Sequence, residues 1–455
     1  MNKMTGKDSL EALKSDLVAK GVKYMLPSYV DMHGASKTKA VPIAHFDRMM
    51  RGSELCTGAA VDGVPQNMSD EEVAAHPDPA SCMIQPWDRD IAWFASDLWC
   101  EGKPFEPCSR NILKRVLAEA KSMGYTINLG LEPEFFVFRQ DEDGTVLPMS
   151  ERRNLTKPAY DVPRLLENKA WWSETVDAMN ELGWDVYSFD HEDGIGQFEI
   201  DFAFADALTM ADRFVFFRRM VDAIARKHGG FATFMAKPFG NYAGSGAHYN
   251  MSIADAKTGK NLCVPEETDP RGCDISELSY HFIGGMLRHL PAISAVVSPT
   301  VNSYKRLVMK GSNSGYTWAP VFQNYGDNNR TNTLRVPGGG GRVELRLADP
   351  MCNPYLGAAL TVAAGLEGIR EGLDPGAPNK VNMYERYEAE GESAGVKLLP
   401  RTLGEALDAF EASALARKVF GDKMFDAWLA FKREEWQSYT NHVSDWEHNR
   451  YMQFY

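Results

Sequence analysis

Apolar and polar residues alternate along several stretches of the chain, in the way that is typical of β-strands with one buried face. Five stretches show it, at residues 130–138, 197–204, 246–253, 330–336 and 342–347. Residues two apart in a strand share a face, so Glu132 shares one with Glu134, and His248 shares one with Asn250. We therefore predict strands whose polar face carries acids, a histidine and arginines, in place of the lysine, threonine and serine common on a solvated face.

Between these strands, apolar residues recur every three to four positions, which is typical of amphipathic helices. We predict helices at residues 9–20, 109–123, 171–182, 207–228, 276–290 and 354–371, with more between 403 and 447. Short strands are predicted at residues 24–30 and 39–43. Ser109 is expected to cap the helix that follows the proline-containing stretch 104–107. We place a boundary there, which divides the chain into domains at residues 1–108 and 109–455.

The amino-acid composition is that of an ordinary globular protein with more acidic than basic residues. The chain has 455 residues, of which 44% are hydrophobic and 24% charged, and its net charge is −13. This charge argues against nucleic-acid binding as the main role, although local arginines can still hold an anionic substrate. The seven cysteines form no CxxC pair, so neither a structural zinc site nor a disulfide framework is indicated. The first ten residues lack the apolar core of a signal peptide, and no apolar stretch reaches membrane-spanning length, so we expect a cytoplasmic protein without membrane contact.

Five glutamates lie in or next to apolar, strand-like segments. They are Glu132, Glu134, Glu192, Glu199 and Glu344. Salt bridges to buried arginines are one explanation. Burying all five, together with His248, is costly without cations. Because oxygen-rich donor sets suit hard divalent ions such as Mg²⁺ or Mn²⁺, we favour metal ligation.

Arginines accompany these acids. They are Arg306, Arg330, Arg335, Arg342 and Arg346. The planar guanidinium fork fits carboxylate and phosphate oxygens, so these residues can neutralise the glutamates, bind phosphates, or do both. The chain contains no GxxxxGK[ST] pattern and no GxGxxG after a strand, which disfavours a P-loop or Rossmann nucleotide site.

At these residues the chain resembles the glutamine synthetase family. Matching segments follow in order at residues 130–136, 191–199, 237–248, 302–307 and 329–346, and the match continues through 349–355. The resemblance runs from about Tyr24 to Leu407. It implies an α+β fold, with an N-terminal β-grasp domain and a catalytic domain whose curved, mainly antiparallel sheet is flanked by helices. It also implies a homo-oligomer, a dodecamer of two stacked hexameric rings with active sites between subunits.

The resemblance also assigns roles to matching positions. Glu134, Glu192 and Glu199 would hold one Mg²⁺ or Mn²⁺, and Glu132, His248 and Glu344 a second. The glutamate-binding group would be Glu134, Gly244, Arg306 and Arg346. The ATP contacts would be Phe204, Ser252, Arg335 and Arg342. The catalytic group would be Arg330, Asp62 and Tyr160. Arg330 would face the transferred phosphoryl group, and Tyr160 would line the amine pocket. Asp62 would be contributed by the neighbouring subunit and would receive the amine.

One stretch departs from the family pattern. Ammonia-using members carry a glutamate in an active-site flap, whereas the corresponding residues here, 309–320, are more numerous and have Thr317-Trp318 in that place. Loss of the acid weakens the case for ammonia, and an aromatic ring can hold an alkylammonium through its π face. The amine pocket is therefore expected to comprise Asp62, Thr317 and Trp318. Two smaller departures are Ala243, where an asparagine is usual, and Asn250, where a second histidine is common.

These observations favour an ATP-dependent ligase that joins the γ-carboxylate of L-glutamate to methylamine through γ-glutamyl phosphate. The alternatives within this class are a glutamine synthetase that uses ammonia and a γ-glutamyl ligase for another alkylamine or a polyamine. A phosphotransferase for another carboxylate or guanidino substrate is a third. A catalytically silent regulator is disfavoured because all six metal-ligand positions are intact. The sequence does not discriminate among the amines, between Mg²⁺ and Mn²⁺, or among modes of regulation.

Overall fold

A computed structural model of the chain describes residues 6–150 and 156–454. Its helices are α1 (Gly6–Ala19), α2 (Phe46–Met49), α3 (Ser109–Ser122), α4 (Val162–Glu167), α5 (Lys169–Glu181), α6 (Ala207–Lys227), α7 (Glu277–Val297), α8 (Ser303–Arg306), α9 (Pro354–Glu371), α10 (Met383–Glu390), α11 (Leu403–Glu411), α12 (Ala414–Phe420), α13 (Asp422–Asn441) and α14 (Asp445–Tyr451). Its strands are β1 (Tyr24–Val30), β2 (Ser36–Lys37), β3 (Val41–Pro42), β4 (Glu54–Cys56), β5 (Val73–Pro77), β6 (Met83–Gln85), β7 (Asp88–Cys100), β8 (Lys103–Pro104), β9 (Tyr125–Gln140), β10 (Val146–Pro148), β11 (Val186–His191), β12 (Gln197–Phe202), β13 (Ala205–Asp206), β14 (Phe231–Thr233), β15 (Ala247–Asp255), β16 (Lys310–Ser312), β17 (Gly315–Tyr316), β18 (Tyr325–Gly326), β19 (Leu334–Arg335) and β20 (Val343–Leu345).

The N-terminal region contains an eight-stranded mixed sheet in the order β2-β1-β7-β5-β4, with β3, β6 and β8 paired at its sides. The two long strands β1 and β7 run parallel, and the other pairs are antiparallel. Leu17 of α1 shares a core with Met25 and Phe94 of these strands. One helix on a mixed sheet is compatible with a β-grasp, and both that assignment and the boundary at residue 108 stay predictions.

The larger region is built on a ten-stranded sheet with β9 in its middle. The order is β11-β12-β9-β15-β20-β19-β18, and every pair is antiparallel except β18 with β19. Helices α3 and α6 pack on β9, and α7 packs along α9. This arrangement confirms the prediction of an α+β fold with a mainly antiparallel sheet flanked by helices.

The predicted alternation holds along β9. Leu131, Pro133 and Phe135 are buried, whereas Glu132 and Glu134 between them are half-buried. The Phe135 ring meets Trp171 edge-on at 6.2 Å between ring centroids. One face of the sheet therefore forms the core, and the opposite face is free to carry polar chemistry.

Three local predictions were wrong or incomplete. The strand predicted at residues 330–336 is reduced to the two residues of β19, because the backbone amides of Thr331 and Thr333 donate to asparagine side chains instead of to a neighbouring strand. Ser109 is the first residue of α3 and not its cap: its hydroxyl accepts a 2.9 Å hydrogen bond from Asn353. Helix α7 continues past the predicted end at residue 290 and contains Pro291.

The helices after residue 400 pack against α7 and α9 and extend the main hydrophobic core. Phe410 of α11 stacks on Phe425 of α13, with ring centroids 4.8 Å apart. Within residues 6–150 and 156–454, no helix combines the length and the apolar content that a membrane span needs. These helices confirm the helical character predicted for residues 403–447.

Candidate active site

A cavity of about 340 Å³ opens on the polar face of the ten-stranded sheet. Twelve of the predicted site residues line it: Glu132, Glu134, Tyr160, Glu192, Glu199, Gly244, His248, Arg306, Thr317, Trp318, Arg330 and Arg346. They come from β9, β12 and β15, from helix α8 and from the loops between elements. The alternation that suggested a shared face thus corresponds to one physical site.

Glu132, His248 and Glu344 form a compact group on three neighbouring strands. His248 lies directly opposite Glu132 in the β15–β9 register, and Glu344 stands on β20, the next strand across. His248 Nδ1 lies 3.5 Å from a Glu132 oxygen and 3.4 Å from a Glu344 oxygen. Ligand atoms of all three lie within 4.8 Å of one another, and this oxygen–nitrogen donor set fits a divalent ion.

The ionisation of this group suits metal binding. Burial, followed by the charge of Arg346, holds the pKa of the His248 imidazole well below its ordinary value. Burial opposes ionisation of Glu344, but Arg346 and His248 outweigh it and leave the pKa of that carboxyl below its ordinary value. A neutral imidazole and a charged carboxylate are the forms that ligate metals.

A second set of acids, Glu134, Glu192 and Glu199, lies on the same cavity wall. Glu199 faces Glu134 in the β12–β9 register, and Glu192 follows the end of β11. Burial and the nearby charge of Glu192 raise the pKa of Glu134 to about 7. Burial and the charge of Glu134 raise the pKa of Glu199 well above its ordinary value. A divalent cation among these carboxylates would remove their mutual repulsion, so the donor set fits the predicted ion.

Amide groups hold two of the acids in place. Gln197 Nε2 donates to Glu134 Oε2 at 3.1 Å, and the Gly246 amide donates to the same oxygen at 2.9 Å. Asn250 Nδ2 donates to Glu132 Oε1 at 2.8 Å. Such outer contacts fix the orientation of ligating groups. Asn250 therefore positions a carboxylate here.

Two buried arginines, Arg306 and Arg346, form part of the cavity wall. Arg306 donates to the carbonyl oxygens of Leu347 and Arg346 at 3.0 Å each, and Arg346 Nη1 donates to Glu344 at 2.8 Å. Arg346 Nε is buried and has no hydrogen-bond partner in the described part of the chain. A buried donor without a partner is costly, and an anionic ligand would satisfy it.

Gly244 lies where the backbone comes close to this arginine pair. A Cβ added there would lie 2.6 Å from the Ala236 carbonyl oxygen and 2.7 Å from Arg306 Cγ. Only glycine fits this approach. The loop backbone is thereby held against the wall that carries the arginines.

The four predicted ATP contacts lie outside this cavity, on the outer continuation of the same sheet face. Arg335 Nη1 lies 2.5 Å from Glu344, and Arg342 Nε donates at 3.0 Å to Asn250, which in turn holds Glu132. Ser252 accepts a 3.5 Å bond from Asn128. Phe204, after β12, is 64% exposed. Arg335 and Arg342 thus lie next to the candidate metal group, and none of the four residues lines the cavity.

Asp62 is the one predicted residue that lies apart from the site. It stands between β4 and β5 in the N-terminal region and does not line the cavity. It acts electrostatically on His33: burial and the charge of Lys432 lower the pKa of that imidazole, and the charges of nearby acids, Asp62 among them, partly offset the effect. Within a single chain, therefore, Asp62 and the cavity are not brought together.

Two residues with left-handed backbone flank the cavity. Tyr160 has φ +63° and Trp318 has φ +58°, which is uncommon for bulky side chains. Both line the cavity and remain more than half exposed. The Thr317 hydroxyl donates to the Val308 carbonyl oxygen, and its amide donates to Met309 at 3.1 Å. The flap bonds therefore hold Trp318 in its strained conformation, as is common at functional sites.

Three acids of the site were missing from the sequence-based set. Asp190 faces Glu199 in the β11–β12 register, and burial with the charge of Glu192 raises its pKa to about 7. Burial with the charge of Glu132 raises the pKa of Asp201 to about 6. Asp193 lines the cavity directly. The same alternation could have identified the first two, because Asp190 lies two residues before Glu192 and Asp201 two after Glu199.

Comparison with known proteins agrees with this site. The family description "Glutamine synthetase, catalytic domain" matches residues 106–451. The glutamate–methylamine ligase of Methyloversatilis universalis is 42% identical over 95% of this chain and 97% of its own length. The glutamine synthetase of Rhizobium leguminosarum bv. phaseoli is 38% identical over 94% of this chain and 96% of its own length.

Solved structures give the same result for the fold. A GmaS structure in complex with ADP superposes with a TM-score of 0.89 and 37% identity, over 97% of this chain and 99% of that one. A GmaS structure without ligand superposes with a TM-score of 0.88 and 36% identity. The similar sequences and the similar solved structures thus both extend over nearly the whole chain. The chain belongs to the glutamine synthetase family.

Proposed function

We propose that this chain is an ATP-dependent ligase that joins the γ-carboxylate of L-glutamate to methylamine through γ-glutamyl phosphate. The observation that carries the choice of amine is Trp318, an aromatic side chain lining the cavity from the flap position where ammonia-using members carry an acid. The similarity to the Methyloversatilis ligase supports the same choice. Several relatives are glutamine synthetases at 34–38% identity, so ammonia is the alternative to be tested.

The metal ligands are proposed as two sets. Glu132, His248 and Glu344 would hold one Mg²⁺ or Mn²⁺, supported by their 4.8 Å grouping. Glu134, Glu192 and Glu199 would hold a second, supported by the raised pKa values of all three carboxyls. When bound, such ions neutralise phosphate oxygens and so make the terminal phosphorus of ATP open to attack.

Glutamate is proposed to bind against Arg306, Arg346 and the backbone at Gly244, with Glu134 close by. The partnerless Nε of Arg346 supports a carboxylate at this position. The arginines hold the substrate's anionic groups, and the γ-carboxylate oxygen attacks the terminal phosphorus of ATP. ADP leaves, and γ-glutamyl phosphate is formed.

ATP is proposed to lie over the outer part of the sheet. Phe204 and Ser252 would contact the nucleoside, and Arg335 and Arg342 its phosphates, supported by the position of both arginines next to the metal-binding group. Arg330, which is exposed at the cavity rim, would stabilise the charge that develops on the transferred phosphoryl group.

The amine is proposed to enter beside Thr317, Trp318 and Tyr160. The Trp318 ring would hold the methylammonium group through its π face. Asp62 of a neighbouring subunit would then take up a proton, so that the nitrogen lone pair can attack the acyl carbon. This role requires an assembly with sites between subunits, and we propose a cytoplasmic dodecamer of two stacked hexameric rings.

Steady-state kinetics test the proposal. ATP-dependent phosphate release with glutamate is measured for methylamine, ammonia, ethylamine and putrescine, with Mg²⁺ or Mn²⁺ present. We expect the highest kcat/KM for methylamine. A higher kcat/KM for ammonia than for every alkylamine would identify a glutamine synthetase, and a preference for ethylamine or putrescine would identify another γ-glutamyl ligase.

A further inference from the structure

The flap over the cavity is a hairpin that stands apart from both large sheets. Its strands β16 and β17 pair only with each other among the described residues. Immediately after β17 come Thr317 and Trp318, which line the cavity. The position of this hairpin therefore sets the position of the proposed amine pocket.

Two groups of contacts hold the hairpin at opposite ends. At its base, Lys310 Nζ lies 2.6 Å from Glu388 of α10. At its tip, the Ser314 hydroxyl donates to Asp193 Oδ2, and the Asn313 amide donates to the Asn241 carbonyl oxygen at 2.9 Å. Asp193 lies in the loop that follows β11, and Asn241 lies in the loop between β14 and β15.

Asp193 connects this tip to the floor of the site. Its backbone amide donates to Glu192 Oε2 at 2.9 Å, while its side chain accepts from Ser314 and lines the cavity. One residue thus contacts a proposed metal ligand through its backbone and the flap through its carboxylate. The described contacts of the Ser314 hydroxyl otherwise run only to Ser312 in the hairpin itself.

We propose that Asp193 and Ser314 are positioning residues that fasten the flap over the acyl phosphate, so that the bound amine, and not water, completes the reaction. The inference rests on the proposed function. A charged acceptor makes a stronger hydrogen bond than a neutral one, so this bond favours the closed position of the hairpin. Because Asp193 adjoins Glu192, the flap is fastened to the same loop that carries a metal-binding carboxylate.

Amide formation and hydrolysis of the acyl phosphate differ in which molecule attacks the γ-carbonyl carbon. In amide formation the amine nitrogen attacks, the carbon–oxygen bond to phosphate breaks, phosphate leaves with the electron pair, and the nitrogen loses a proton. If water attacks instead, the products are glutamate and phosphate, and ATP has been hydrolysed without an amide. The ratio of phosphate released to amide formed therefore reports how well the flap is fastened.

The test compares Asp193→Ala and Ser314→Ala with the wild-type chain. We expect each variant to raise the phosphate-to-amide ratio by roughly fivefold or more and to raise the KM for the amine, while the KM for ATP stays within about twofold. Asp193→Asn keeps an acceptor for Ser314 and is expected to restore most of the coupling. Ser122→Ala is the control, because it removes an exposed hydroxyl that donates to the Glu119 carbonyl oxygen of its own helix, away from the flap.

A second measurement does not depend on turnover. Hydrogen–deuterium exchange of residues 310–318 is expected to be faster in Asp193→Ala than in Asp193→Asn or in the wild type. Unchanged coupling and unchanged exchange in both alanine variants would overturn the proposal. The amine used is whichever gives the wild type its highest kcat/KM, so a wrong choice of methylamine is detected in the wild type and leaves this test intact.

Discussion

Glu134 is a carboxylate whose surroundings oppose its charge. Its side chain is 13% exposed, and its pKa is raised to about 7 by burial and by the charge of Glu192. The ordinary value is 4.5, so the unfolded chain loses this proton at lower pH than the native chain does. The stability of the metal-free protein is therefore expected to fall as the pH rises from about 4.5 to 7.

Divalent cations should reverse this trend. A metal ion binds the charged carboxylate, so below pH 7 it competes with the proton for Glu134. Above pH 7 the carboxyl has already lost its proton, and this competition is weaker. We expect the rise in Tm caused by Mn²⁺ to be larger at pH 8 than at pH 6. Differential scanning fluorimetry with and without the ion measures it, and Glu134→Gln serves as the variant without this proton. An equal rise at both pH values in the wild type would contradict the account.

Trp318 is expected to select the amine through its ring. Cation–π contacts contribute about 0.5–2 kcal/mol, so Trp318→Ala should lower kcat/KM for methylamine about fivefold and affect ammonia less. Steady-state kinetics with both amines give the two ratios. Trp446→Ala, which removes a 65% exposed tryptophan outside the cavity, is the control. Equal losses for methylamine and ammonia would assign Trp318 a role in folding or closure alone.

At the scale of elements, helix α3 joins the N-terminal sheet to the large core through one buried arginine. Arg110, 3% exposed, donates to Asp78 and Asp97 from the N-terminal sheet region and to Asp212 of α6, at 2.8–2.9 Å. Removing a buried partner leaves charges without compensation, at a cost of about 3–5 kcal/mol. We expect Arg110→Met to reduce the free energy of unfolding by that amount in urea titrations.

The control for this prediction is Arg226→Met on α6. Arg226 makes an exposed pair with Asp222, four residues earlier, and such pairs contribute about 0.5 kcal/mol or less. If both variants lose the same stability, the Arg110 cluster has no special role in holding the two regions together.

Elements with a strong local pattern could be predicted from the sequence. Strand β9 alternates from Ile127 to Phe135, and α9 begins and ends where the pattern placed it, at Pro354 and Glu371. Residues 330–336 alternate too, yet most of them are not strand, because the backbone amides of Thr331 and Thr333 donate to the side chains of Asn329 and Asn324. Local periodicity does not record such tertiary partners.

The site followed the same division. Of the acids proposed to bind metal, Glu132, Glu134, Glu199 and Glu344 lie on strands, where alternation identified them as polar-face residues. Asp193 was not predicted from the sequence, because its role depends on the contact with Ser314 in the flap, over a hundred residues further along the chain. Asp62 was assigned by resemblance alone, and in the described structure it does not line the cavity of its own chain.

At the scale of the whole molecule, the position of Asp62 predicts that active sites form between subunits. Co-expressed Asp62→Ala and Arg330→Ala chains should recover up to about a quarter of wild-type activity, because some mixed sites contain both intact residues. Mixing Arg330→Ala with Glu199→Gln, both of which line the cavity of one chain, should recover none. Activity assays on the purified mixed oligomers measure this. No recovery in the first mixture would contradict a shared site.

The choice of nucleophile is the central claim, and direct competition tests it. The protein is given glutamate, ATP and Mg²⁺ with methylamine and ammonia at equal free-base concentrations, and the products are separated by mass. We predict that γ-glutamylmethylamide exceeds glutamine by at least about tenfold, and that Trp318→Ala reduces this excess. Glutamine as the main product of the wild-type chain would contradict the account.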